Sequence, residues 1–147
     1  MHNNEPFSRQ SGFTLLELLI VVAILSLLVA LVAPKLIGRA DDAKQAVARA
    51  EIHHLEAALD LYRLDNGHYP AIDQGLAALV SKPTVGEVPT NWRDGGYLKS
   101  LPLDPWQHAY LYLFPGLHGE YDILSYGADG KVGGEKYNKD IVSWIKS

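Results

Sequence analysis

The sequence predicts an α+β chain: one long N-terminal helix, apolar enough over its first half to span a bilayer, packed through its second half on a small antiparallel β-sheet. Three observations predict this. Phe13 to Ala33 is apolar except for Thr14, Glu17 and Ser26; apolar residues recur at spacings of four and three from Ala48 to Tyr62; and after Trp106 the period changes to two. The 147 residues suffice for one compact domain of ordinary size. The net charge of −4, with no basic stripe, argues against nucleic acid as a partner. The absence of cysteine removes thiol catalysis, thiolate metal sites and disulfides together.

The apolar run is about 21 residues and spans about 30 Å as a helix, the thickness of a hydrocarbon core. One reading is a plain membrane anchor. A cleaved secretory signal fits poorly, because the stretch is long for an h-region, contains an acid, and offers only Ala30-Leu31-Val32-Ala33 followed by Pro34 as a cleavage site. A third reading places the cut before the apolar run, between Gly12 and Phe13. The stretch "SGFTLLELLIVVAIL", preceded by a short polar leader with Arg9 near its end, resembles the class III signal of type IV pilins and pseudopilins. That resemblance implies cleavage after Gly12 by a prepilin peptidase and methylation of the new Phe13 amine. It divides the chain into a leader at 1–12, a transmembrane and filament-core helix at 13–33, and a periplasmic domain at 34–147.

Glu17 has two readings that can coexist. Thr14-Leu15-Leu16-Glu17 has the spacing of a capping box, in which both side chains satisfy free N–H groups at a helix start. A charge inside a membrane costs about 2.5–3.5 kcal/mol or more, so it normally has a partner and a function. The resemblance implies that the partner is the Phe13 amine of a neighbouring subunit, which makes Glu17 an assembly residue. One signal opposes this topology. Lys35, Arg39, Lys44 and Arg49 follow the run while Arg9 alone precedes it, so the positive-inside rule puts the domain in the cytoplasm. The processing motif is the more specific signal and places it in the periplasm.

Ala48, Ile52, Leu55, Leu59 and Tyr62 form one stripe on an otherwise charged helix, and Asn66-Gly67 supplies its stop. The helix is therefore expected from Phe13 to about Asp65, with Pro34 either kinking it or breaking it between anchor and domain. Asp73 is placed to cap a short helix through Val80, and "SKPTVGEVPTNWRDGG" favours turns. "LPLDPW" reads as an ordered corner with Trp106 packed inward; core roles for Trp92 and Trp106 outweigh binding roles. Strands are expected at "AYLYLF" (Ala109–Phe114), "YDILSY" (Tyr121–Tyr126) and "DIVSWI" (Asp140–Ile145), with "PGLHGE" as the first turn. Together they form the sheet laid on the helical stripe.

In "SYGADGKVGGEKYNKDIVSW" (Ser125–Trp144), Asp129 and Asp140 are hard oxygen donors among glycines that let carbonyls turn inward. Calcium takes such a mixture, though the spacing is not that of an EF-hand, and on the residues alone a solvated turn accounts for them better. "DPW", "DILSYGADG", Gly133-Gly134 and "DIVSW", with "GFTLLE" and "LDNGHYP" (Leu64–Pro70), resemble the major pseudopilins of type II secretion over nearly the whole chain after Gly12. The resemblance implies a pilin-like fold and a calcium site at Asp129 and Asp140, with backbone oxygens of Leu124 and Val132 as further ligands. Lys136 and Lys139 stand where small residues are common in that family, and two cations there would weaken calcium binding.

The same resemblance implies a structural subunit, not an enzyme. It would polymerise with itself in the periplasm and work with minor pseudopilins, the prepilin peptidase, an inner-membrane assembly platform and an outer-membrane secretin, to move folded proteins across the outer membrane. A type IV pilin is the neighbouring alternative; many of those close their C-terminal region with a disulfide, which this chain lacks. An anchored calcium- or ligand-binding module that never assembles is the alternative from another class. No phosphate-cradling loop and no Gly-x-Ser-x-Gly elbow is present. His53 and His54 are adjacent on the helix and so point apart, and His68, His108 and His118 have no ligand spacing.

Overall fold

The computed structural model describes residues 12–145. Helix α1 runs from Leu15 to Asn66, followed by a single turn of 3₁₀ helix at Leu76–Leu79 and strands β1 (Leu111–Leu113), β2 (Asp122–Ser125) and β3 (Ile141–Val142). Further 3₁₀ turns lie at Gly127–Asp129 and Lys136–Asn138. The chain divides into two compact units, Met1–Arg39 and Ala40–Ser147. Within the first, α1 carries an apolar surface with none of its most hydrophobic stretch buried, and it is long enough to cross a membrane. The helical assignment runs through Pro34, as the expectation of one long helix had it, and the alternative of a plain break there is not seen.

The second unit holds the core. The expected stripe is the inner face of α1: Ala48, Ile52, Leu55, Leu59 and Tyr62 are all at most 1% exposed, and Ala58 joins them. Burying each of the larger aliphatic side chains contributes about 1.5–3 kcal/mol, well above the tenths that separate helix propensities. The helix ends where Gly67 adopts a left-handed φ of 83° and its N–H returns to the Arg63 carbonyl at 2.7 Å.

The sheet is antiparallel in the order β1-β2-β3, with Tyr112 opposite Ile123 and Leu124 opposite Val142. All three expected strands form, but each is shorter than the period-two run that announced it. The alternation in β1 faces Tyr110 and Tyr112 inward and leaves Leu111 and Leu113 partly exposed. Their hydroxyls reach the carbonyls of Ala48 and Pro70, so both buried phenols find an acceptor. Trp92, Trp106 and Tyr97 pack against the same core, and the Trp92 indole donates to the Ala78 carbonyl at 2.9 Å.

The expected cap at Asp73 is replaced by a different device. The 3₁₀ turn starts after Gly75 with no side-chain cap. Gln74 is the buried organiser: its Oε1 accepts the Ala71 N–H at 3.1 Å, and its Nε2 donates to the carbonyls of Val85 and Glu87, both at 2.9 Å. One amide thus holds the turn to the proline-rich loop beyond it, because an amide supplies donors and an acceptor where a carboxylate supplies only acceptors.

Candidate assembly and metal-binding sites

The N-terminal site is built as the spacing predicted. The Thr14 N–H donates to Glu17 Oε2 at 3.3 Å, and the Glu17 N–H donates to Thr14 Oγ1 at 3.2 Å. This reciprocal pair satisfies two of the helix's four free N–H groups and places the carboxylate at the positive end of the helix dipole. It does not neutralise Glu17. No cation pairs with it among the described residues. Gly12 and Phe13 precede the helix, and Phe13 is 84% exposed. Met1 to Ser11, and with them all of the expected leader but Gly12, lie outside the described residues.

The C-terminal loop runs from β2 to β3. Asp129 Oδ1 accepts the Lys131 N–H at 3.1 Å, and Asp140 Oδ2 accepts the Gly133 N–H at 2.9 Å. Val132 therefore lies between two residues anchored by the two carboxylates, and its side chain points to solvent, 79% exposed. Leu124 is the penultimate residue of β2, just before the loop opens. Two close approaches shape the loop. A side chain at Gly127 would come 2.9 Å from the Lys139 carbonyl, and one at Gly134 would run into the Asn138 carbonyl; both glycines have left-handed φ, 66° and 91°.

The donor chemistry fits calcium. Among the described residues no three His, Cys, Asp or Glu side chains are grouped to hold a metal, so an ion here would have to draw on backbone carbonyls, as calcium readily does. Asp140 Oδ1 is buried with no hydrogen-bond partner among the described residues, a lone pair that a cation would satisfy.

The two lysines that stood out in the sequence separate in space. The Lys136 carbonyl accepts Gln45 Nε2 from α1 at 2.5 Å, and its φ of 55° is left-handed. Lys139 lines a cleft with Asp140 and with Arg49 of α1. Gln45 was not singled out by sequence, and Arg49 only as one of the cations after the apolar run, not as a neighbour of the loop. Their one signal is an i, i+4 spacing on the charged side of the stripe, which any solvated helix face also shows. The two adjacent histidines turn apart as expected: His53 pairs with Glu56 at 2.8 Å and His54 approaches Glu51 at 3.9 Å, in opposite directions along the helix.

Two buried carboxylates were also invisible as sites. Asp104 supports the corner before β1, and Asp122 accepts the Leu117 N–H at 2.8 Å and faces His118 Nδ1 at 3.0 Å across the β1–β2 turn. His118 in turn stacks on Trp144 with ring centres 3.9 Å apart.

Residues 35–144 match the family profile described as type II secretion system (T2SS), protein G, and residues 7–33 match the prokaryotic N-terminal methylation motif. The type II secretion system core protein G of Pseudomonas aeruginosa is 53% identical over 136 residues, covering 92% of this chain and 96% of that protein. Its counterpart in Vibrio cholerae is 52% identical, covering 92% of each. The crystal structure of the major pseudopilin from the type 2 secretion system of enterohaemorrhagic Escherichia coli superposes with a TM-score of 0.67 at 46% identity, covering 76% of this chain and 95% of that one. With the capping box at the head of the apolar helix, the stripe beneath a three-stranded sheet and a profile match over most of its length, the chain belongs to the type II secretion system protein G family.

Proposed function

We propose that this chain is the structural subunit of a type II secretion pseudopilus, anchored in the inner membrane before assembly and stacked into a periplasmic filament through its apolar helix afterwards. The observation that carries this is Glu17: a carboxyl side chain at the head of an apolar helix, capped by Thr14 but unpaired with any cation among the described residues. The methylation motif over residues 7–33 supports cleavage between Gly12 and Phe13 by a prepilin peptidase, which frees an amine a few ångströms along the helix from Glu17. A neighbour's amine then neutralises the acid and registers the incoming subunit. Minor pseudopilins, the inner-membrane platform and the outer-membrane secretin are the further partners.

The intact mass of protein extracted from its native membrane tests this. A mass lacking Met1–Gly12 and carrying one added methyl supports it; a full-length, unmethylated mass sinks it and leaves Glu17 as a helix cap only. Glu17→Leu should insert and be processed but assemble poorly, and normal filaments from that variant would remove the assembly role.

Calcium belongs to the same reading as a structural ion. Asp129 and Asp140 would hold it, with carbonyls from the Leu124 and Val132 neighbourhoods; bound there, it would supply a doubly positive centre that orders the loop. Support comes from the orphaned Asp140 Oδ1 and the hard-oxygen donor set. Millimolar calcium should raise the melting temperature relative to chelator. No change would dismiss the site.

A further inference from the structure

Asp140 faces two demands. Its Oδ2 is engaged by the Gly133 N–H, and its Oδ1 is buried and unpartnered among the described residues. A buried carboxylate oxygen in that state is costly, and a cation beside it relieves the cost. Asp140 also lines a cleft of about 180 Å³ whose other walls are Arg49, Lys139, Ile141, Val142 and Ile145. Two cations and one carboxylate thus share a small space with three aliphatic side chains, which lower the local dielectric and strengthen every charge interaction there. Yet among the described residues neither Arg49, Lys139 nor Asp140 belongs to an ion pair.

We infer that Arg49 and Lys139 set the metal affinity of the loop by competing with calcium for the Asp140 carboxylate. The inference rests on the calcium reading above. Without metal, the two cations that share its cleft are the compensating charge open to Asp140. With metal, a doubly positive ion on the same carboxylate repels them. Occupancy of the loop and closure of the cleft onto Asp140 are therefore opposed, and the coupling is reciprocal. Lys136 is outside this device, because its side chain does not line the cleft and its contribution is a backbone carbonyl held by Gln45. Arg49 brings α1 into the control of a loop ninety positions downstream, so the metal state of the loop is sensed on the helix that carries the core stripe.

The test uses the full chain in detergent micelles, stripped with chelator, titrated calorimetrically with calcium and melted both in chelator and in calcium. Arg49→Gln combined with Lys139→Ala should bind calcium about tenfold more tightly, within the ordinary range of coupling between sites. Lys136→Ala should stay within about twofold of the parent, as remote surface changes do. The double variant should melt lower than the parent in chelator and gain more from calcium, a crossed pattern that a merely structural role does not produce. Calcium binding by a parent whose double variant binds equally or more weakly overturns the competition and leaves the calcium reading standing. A double variant that loses melting temperature equally in both conditions also overturns it. Binding by the double variant but not by the parent supports it. No binding by any form overturns the calcium reading and this inference together.

Discussion

Asp104 is fully buried, and its carboxylate accepts the Trp106 and His108 N–H groups at 3.0 and 2.8 Å and the Ser125 hydroxyl at 2.6 Å. Ser125 Oγ in turn accepts the Gly127 N–H at 3.2 Å, so one side chain ties the corner before β1 to the start of the C-terminal loop. Three donors converge on an acceptor-only group, and a carboxylate is the side chain whose two oxygens can accept all three. Asp104→Ala should therefore cost about 3 kcal/mol or more, since each hydrogen bond to a charged group is worth about 1.5–3 kcal/mol and the buried Ser125 hydroxyl loses its acceptor. Asp104→Asn should cost less, because its carbonyl oxygen can keep both N–H groups. Urea denaturation of the two variants against the parent measures this, and a loss below about 1 kcal/mol for the alanine variant would show that water replaces the carboxylate.

Among the elements, β1 carries the clearest consequence. Tyr112 within it and Tyr110 just before it pack into the core beside α1, joined by Tyr121 from the end of the following turn; Tyr69 and Tyr121 have ring centres 4.8 Å apart. Burial pushes the phenols of Tyr110, Tyr112 and Tyr121 well above their ordinary value of 10.0, helped by Asp104 beside Tyr110, Tyr69 beside Tyr112 and Asp60 beside Tyr121. The unfolded chain ionises near the ordinary value while the folded chain keeps its protons. The stabilisation is thus complete below that pH and drains away as pH rises from it toward the raised folded values. The urea midpoint should stay level through neutral pH and fall above about pH 10, with phenolate absorbance appearing together with unfolding. Phenolate signal from all three tyrosines in a still-folded protein would show that they are wetter than the packing indicates.

At the scale of the whole molecule, the two units answer to different solvents. Met1–Arg39 holds the exposed apolar face, and every residue of the hydrophobic core comes from Ala48 onward. A chain beginning at Ala40 should therefore unfold in one cooperative transition, because it retains the stripe, the sheet and the buried carboxylates. A calorimetric trace without a single transition would mean that the core depends on residues before Ala40. The same division separates the two proposed roles: Glu17 acts where subunits meet through their apolar helices, and the Asp129–Asp140 loop acts within the domain.

The sequence by itself determined what periodicity and local spacing encode. The 3.6-residue stripe of α1, the period-two runs that became three strands, the helix stop at Asn66-Gly67 and the capping box at Thr14 and Glu17 each depend on residues within a few positions of one another. The same locality made the candidate loop legible, since glycines and two aspartates lie within one short stretch. Only the tertiary structure decided which polar groups meet across long separations. Nothing in "LPLDPW" distinguishes Asp104 from a solvated turn residue until Ser125 is folded against it. Gln45 meeting Lys136, and Arg49 sharing a cleft with Lys139 and Asp140, are likewise set by how α1 lies against the loop. Apolar burial repeats with the backbone and so leaves a pattern in sequence. A hydrogen bond or a shared charge between distant residues is a single pairwise event, and it leaves none.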